Sequence, residues 1–271
     1  MTVPDYKYVL YDVSDGIASI TMNRPEKLNA HNLQMYNEVI SAFELAGQDT
    51  DVRVITVAGN GRAFCVGRDF TYSAELQQQD SVSAWRRAFK GFTRYTLLNE
   101  KMVIALVQGY ALGGGGSMAL AADITIATPD AKFGYPETRH GIASKTMLWA
   151  WTLGSKRAKE IVATGRHISV AEAASMRLVN RTVAIEDLNH EGRRLAEAIA
   201  AMPYGLPETV KRQVNYANRD MIRASYDNRK LEADTAAWDI AGVEPSEWLR
   251  GLRILRDEAV RTGMPSSGAV P

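Results

Sequence analysis

Four consecutive glycines, Gly113–Gly116, stand between an apolar, β-branched run and a helical segment, and this is where the chain is best placed to do chemistry. Glycine loses more conformational freedom on folding than any other residue, so such a run is destabilising unless the backbone must pass close to something. A helix N-terminus presents unpaired N–H groups and partial positive charge, which favour an oxygen with developing negative charge. Three readings compete: a phosphate site, an oxyanion hole, and tight helix–sheet packing with no ligand. No Lys-Ser or Lys-Thr follows the glycines, so the P-loop pattern fails, and a dinucleotide fingerprint would need glycine where Met118 stands. The glycines alone leave the oxyanion hole and the packing reading level.

The other candidate groups are fewer. Glu137 follows Phe133-Gly134 in Tyr135-Pro136-Glu137. Its carboxylate sits either at an apolar pocket wall, where burial raises its pKa toward a useful acid/base value, or on the surface beside Arg139 or Lys132. Ser117 closes the glycine run; a hydroxyl can orient a water but holds no proton in reserve at neutral pH. Its plain structural role is a helix N-cap or first-turn residue. The histidines, His31, His140, His167 and His190, have no metal-ligand spacing, and no metal is expected. The single cysteine, Cys65, excludes an internal disulfide and a cysteine metal cluster, and reads as a small buried hydrophobe. Trp149 and Trp151 read as core or pocket wall.

The elements that must hold these residues can be read coarsely. Residues 7–12 and 17–22 are apolar runs around Asp15-Gly16, a strong hairpin signal. Leu33, Tyr36, Val39, Ile40 and Phe43 recur at helical spacing. Residues 54–58, 103–107 and 124–127 are continuous apolar strands, residues 117–122 a helix. Such strands alternating with helices predict an α/β sheet covered on both faces. Helices are expected over residues 155–164 and 169–176, with Ser169 and Glu172 forming a capping box, and a short strand over 180–183. After Pro203 the pattern is helical to about residue 261, with Trp238 and Trp248 in that region.

Composition narrows the partners. The formal net charge is +1, so nothing favours broad binding to nucleic acid or anionic lipid. No apolar stretch is long enough for a bilayer, so no membrane partner is expected. The opening residues read directly into a strand with no targeting pattern, and a reducing, cytoplasmic setting is expected.

Four segments carry a resemblance. They are residues 23–30 (Asn-Arg-Pro-Glu-Lys-Leu-Asn-Ala), 62–69 (Arg-Ala-Phe-Cys-Val-Gly-Arg-Asp), 107–115 (Val-Gln-Gly-Tyr-Ala-Leu-Gly-Gly-Gly) and 131–137 (Ala-Lys-Phe-Gly-Tyr-Pro-Glu). In this order the chain resembles the crotonase (enoyl-CoA hydratase/isomerase) superfamily over about residues 8–185. The resemblance implies a ββα spiral core, here residues 1–200, and a helical oligomerisation region, residues 201–271. It implies an acyl-CoA thioester substrate, no separate cofactor, and a homotrimer or dimer of trimers. It places the oxyanion-hole amides at Arg68 and Gly114, the coenzyme A site at Lys27, Leu28, Ala30, Ala63 and Val66, and a catalytic carboxylate at Glu137. Two fixed N–H donors on a thioester oxygen stabilise an enolate, by about 3–4 kcal/mol per donor.

Two departures matter. The family's hydratases commonly use two glutamates, and the first falls at Ser117. Some members, such as hydroxycinnamoyl-CoA hydratase-lyases, share that serine, but the aromatic residue that holds their phenol falls near Asn228. The proline- and glycine-rich segment after the glutamate is replaced by residues 139–146 (Arg-His-Gly-Ile-Ala-Ser-Lys-Thr), with a loop shorter by about three residues. His140 and Lys145 thereby become candidates for the acyl pocket. Asp69 reads as structural. The expected chemistry is hydration or dehydration of a conjugated enoyl thioester with a single glutamate acid/base. Double-bond isomerisation, thioester or carbon–carbon hydrolysis, and a non-catalytic CoA-binding role are the alternatives.

Overall fold

The computed structural model describes residues 3–69, 95–140 (residue 140 by its backbone), 148–220 and 222. The chain opens with a hairpin, β1 (Val9–Ser14) and β2 (Ile17–Met22). The turn residues Asp15 and Gly16 both take positive φ, 51° and 75°, as a tight two-residue hairpin requires. Helix α1 (Leu33–Gln48) follows, capped by Asn32, whose side chain accepts from Met35 N–H at 2.8 Å. Of its predicted apolar stripe, Tyr36, Val39 and Phe43 are buried and Leu33 and Ile40 half-buried, with Met35 and Ala42 buried alongside.

Strands β3 (Val54–Gly59), β4 (Met102–Val107), β6 (Ile124–Ala127) and β9 (Arg181–Thr182) extend β2 in parallel, so the sheet runs β1-β2-β3-β4-β6-β9. The predicted two-sided cover is present. One face joins α1 in a core with Val39, Phe43, Ile55, Val57 and Val103. On the other, Leu188 and Ala196 of α6 (Leu188–Ala200) pack on Ile17, Val54, Ile104 and Ile126.

A second sheet was not anticipated from the sequence. Strands β5 (Tyr110–Leu112) and β7 (Lys132–Gly134) pair in parallel, and β8 (His167–Ser169) adds antiparallel to β7. Three-residue strands carry no periodicity to detect. This small sheet launches the glycine run and the Glu137 turn from adjacent strand ends. Helix α2 (Gly114–Ala121) begins inside the glycine run, three residues earlier than predicted, because the glycines themselves form its first turn.

Helices α3 (Leu148–Leu153), α4 (Ser155–Thr164) and α5 (Val170–Ser175) follow. Ser169 caps α5, its hydroxyl accepting from Glu172 N–H at 3.2 Å. Helix α7 (Leu206–Ala217) is the start of the predicted C-terminal helical region. Its Lys211 is buried and donates to Lys101 O at 2.9 Å and Asp123 Oδ2 at 2.7 Å, which anchors the helix to the core. Trp238, Trp248 and Asn228 lie outside the described residues. Among the described residues, no helix is long and apolar enough to cross a membrane.

Candidate active site

The site is built where the two sheets meet. Cys65 pairs with the small sheet: its N–H donates to Tyr110 O at 2.9 Å, and Leu112 N–H donates to Cys65 O at 2.9 Å. Two residues on, Gly67 turns at φ 91°. His31 N–H donates to Gly67 O at 2.7 Å, and Asp69 N–H donates to His31 O at 2.9 Å. In this parallel bridge the amide and carbonyl of Arg68 itself point away from His31. A Cβ on Gly67 would lie 3.3 Å from Gly114 N, so the backbone beside Arg68 runs directly against the start of α2.

Gly113 is the N-cap of α2, with φ 53°, and its N–H donates to Gly134 O at 2.9 Å. That bond continues the β5–β7 register and aligns the glycine run with the turn bearing Glu137. The glycine requirement is then specific: a Cβ at Gly113 would overlap Glu137 Oε1. At Gly114 a Cβ would stand 2.7 Å from the Tyr36 hydroxyl. The carboxylate therefore lies against the start of α2, and Glu137 is only 5% exposed. Burial pushes its pKa up to about 7, while the amides of Glu137 and Gly114 and the positive charge of Arg68 hold back a larger rise.

This excludes the surface-pair alternative for Glu137. Arg139 donates instead to Thr164 O at 2.9 Å, and Lys132 lies over the Tyr110 ring. Glu137 Oε2 is buried with no partner. Ser117 is buried too, and its Oγ is likewise unpartnered. It lies one helical turn after Gly113 in α2. Ser117 is not the helix N-cap, a position that Gly113 takes. A third orphan, Trp149 Nε1, is close by: a Cβ on Gly116 would meet the Trp149 ring at 3.3 Å. Buried polar atoms left unpaired in a native fold need an explanation, and a polar ligand or water supplies one.

The five residues that the resemblance places at coenzyme A come from two loops that the structure knits together. Val66 N–H donates to Leu28 O at 3.2 Å. Asn29, buried and at φ 55°, donates through Nδ2 to Asn60 O at 2.9 Å and Ala63 O at 2.8 Å. Leu28 and Ala30 N–H are bonded within the loop, to Pro25 O and Lys27 O, and Lys27 is exposed beside them. Arg24 ties this loop to the oxyanion strand, donating to Ala30 O at 2.9 Å and Asp69 Oδ2 at 2.7 Å. Asp69 is thus part of a buried ion pair. Lys145 and the side chain of His140 lie outside the described residues. No cluster of three or more metal-ligating side chains occurs among the described residues.

The comparisons with known proteins identify the family. Residues 12–239 match the model of the enoyl-CoA hydratase/isomerase family. The chain belongs to that family. A probable enoyl-CoA hydratase of Mycobacterium bovis is 35% identical over 217 residues, covering 78% of this chain and 82% of that protein. A short-chain-enoyl-CoA hydratase of Clostridium acetobutylicum is 32% identical, covering 79% and 82%. The crystal structure of an enoyl-CoA hydratase/isomerase from Xanthobacter autotrophicus superposes with a TM-score of 0.82 at 35% identity, covering 95% of this chain and 96% of that one. This family member is therefore an enzyme with the crotonase fold, as its motifs implied.

The sequence alone missed three contributors: Tyr36, His31 and Cys65, which pack behind the glycine run. Tyr36 and His31 gave a faint signal, as polar rings at the buried start of an amphipathic helix.

Proposed function

We propose that this enzyme is an acyl-CoA lyase of the hydratase type, adding water to, or removing it from, a conjugated enoyl thioester. The observation that carries this reading is a buried Glu137 carboxylate, its pKa pushed up to about 7 by burial, packed against the glycine run at a helix N-terminus. The Arg68 and Gly114 amides receive the thioester oxygen, and the adjoining carbon gains or loses a proton as the enolate collapses or forms. Glu137 takes a proton from water and returns it to carbon, so one carboxylate serves both half-steps. Ser117 Oγ holds the water. The names of the relatives, hydratases at 32–35% identity, support the same chemistry. The acidity comes from the thioester and two amides, so the scheme calls for no additional cofactor.

Isomerisation is the second reading, favoured by one specific observation: the position of a second glutamate is occupied by Ser117. A single base shuttling a proton between two carbons needs no water. Incubation of the enzyme with 2-enoyl and 3-enoyl thioesters in heavy-oxygen water separates the two. Label in the product supports hydration; conversion without label supports isomerisation. Tight CoA binding with no turnover over a broad thioester panel would overturn both in favour of a non-catalytic role.

We place the enzyme in the cytoplasm as a homotrimer or dimer of trimers. Leu206, Val210 and Val214 recur along α7 and are exposed, with Tyr204 and Tyr216 beside them. An apolar stripe of this kind is the expected face of a subunit contact. Light scattering giving a monomer at micromolar concentration would refute the assembly.

A further inference from the structure

We infer that the Cys65 sulfur is a clasp that positions the two halves of the oxyanion hole, an inference that rests on the assignment of Arg68 and Gly114 to that hole. Cys65 Sγ accepts a hydrogen bond from Gly67 N–H at 3.3 Å, and a Cβ on Gly115 would lie 2.7 Å from Cys65 Cβ, so the same side chain packs on the glycine run. Gly67 directly precedes Arg68, and Gly115 directly follows Gly114. One side chain therefore meets the neighbours of both donors, Gly67 and Gly115, which are 48 residues apart in sequence. With Gly67 bonded to the sulfur and Gly115 packed on the same side chain, the hole keeps its separation before substrate arrives.

The sulfur is held in turn. Cys65 is fully buried, and burial pushes its thiol up to about 12, so it stays protonated and unreactive. Its outer side rests against His31, with Sγ 3.4 Å from Nε2 and 3.7 Å from Nδ1. Burial lowers His31 to about 3, so the imidazole is neutral and one ring nitrogen is an acceptor. Met22 Sδ also lies 3.3 Å from Nε2. The Cys65 sulfur is thus enclosed between the imidazole and the Gly67 amide. The His31 ring packs on Tyr36 with centroids 4.4 Å apart, and the Tyr36 hydroxyl abuts Gly114. A buried hydrophobe of the same size would fill the space but could not accept from the Gly67 amide.

The test compares Cys65→Ala, Cys65→Val and Cys65→Ser with the wild type, using an isotope-edited infrared spectrum of a bound saturated acyl-CoA together with steady-state kinetics. The wild-type thioester carbonyl band should fall in frequency on binding. No wild-type shift would refute the oxyanion assignment itself. Given a shift, Cys65→Ala should lose at least half of it and about tenfold in kcat, with KM for the thioester within twofold. Cys65→Ser, whose hydroxyl can accept the same bond from Gly67 N–H, should recover most of both. If Cys65→Ala does not fold, Cys65→Val, which keeps the packing volume, takes its place. An unchanged carbonyl band and kcat in the folded Ala or Val variant would overturn the clasp. So would a serine variant no better than alanine.

Discussion

Glu137 Oε1 stands where a Cβ on Gly113 would be, beside the Gly114 amide, which favours the ionised form of the carboxylate. The acid and the thioester oxygen therefore compete for one donor, and substrate must displace the carboxylate as it docks. An ionised carboxylate holds an amide about twice as strongly as a neutral acid does. Ground-state binding should thus weaken as Glu137 ionises. The Kd of a saturated acyl-CoA, measured calorimetrically, should rise severalfold between pH 6 and pH 8, and the rise should vanish in Glu137→Ala. A pH-independent Kd in the wild type would show that the displacement does not occur.

Glu137→Gln should lower kcat by about 10²–10⁴-fold, the usual contribution of a positioned acid/base, with CoA affinity mostly kept. Its stability should move the other way. The folded pKa, about 7, lies above the ordinary 4.5, so the fold binds a proton that the unfolded chain has lost between those values. The resulting stabilisation is full below pH 4.5 and disappears as pH rises through 7. The glutamine variant, which never ionises, should melt a few degrees above wild type at pH 8 and level with it near pH 4.5. Equal melting at both pH values would mean that the buried carboxylate carries no such penalty.

Arg68→Ala tests the electrostatics without touching the amide. The Arg68 charge holds the Glu137 pKa down, so its removal should move the acidic limb of the kcat/KM profile to higher pH. A limb that stays in place would place the Arg68 charge too far away to matter.

Ser117→Ala separates catalysis from packing. Its buried Oγ has no partner, so losing it should leave stability unchanged or improve it by about 1 kcal/mol. Turnover should fall about tenfold if the hydroxyl holds water. Unchanged turnover would remove Ser117 from the mechanism.

Asn29→Ala removes three hydrogen bonds, two donated by Nδ2 and one accepted by Oδ1 from Arg24 N–H at 2.8 Å, at a buried residue with positive φ. Thermal unfolding should show a loss of about 2–4 kcal/mol, and KM for the thioester should rise as the coenzyme loop loosens. A KM that stays fixed would separate this loop from cofactor recognition.

The long elements were legible because their apolar patterns are long. Strands β2, β3, β4 and β6, helix α1 and the Asp15-Gly16 turn follow from local pattern and turn chemistry. The small sheet was not, since three residues cannot display a period. That omission hid why Glu137 meets Gly113. The motif resemblance placed both residues in one site, but only the β5–β7 pairing gives the mechanical reason. Cys65 was read by size as a hydrophobe, which is right for its burial and silent about its lone pairs. The resemblance assigns a role to the Arg68 main chain only, yet the charge of its side chain tunes the neighbouring acid.

The pairing of Leu112 with Gly134 has a consequence for how such an enzyme can diversify. The spacing between proton carrier and enolate cradle is set by main-chain bonds, not by the residues that happen to line the acyl group. The wall beyond residue 139 can then change length and composition, as it has here, while the reacting centre stays in register. New acyl specificities become accessible by substitutions that leave the reaction geometry alone.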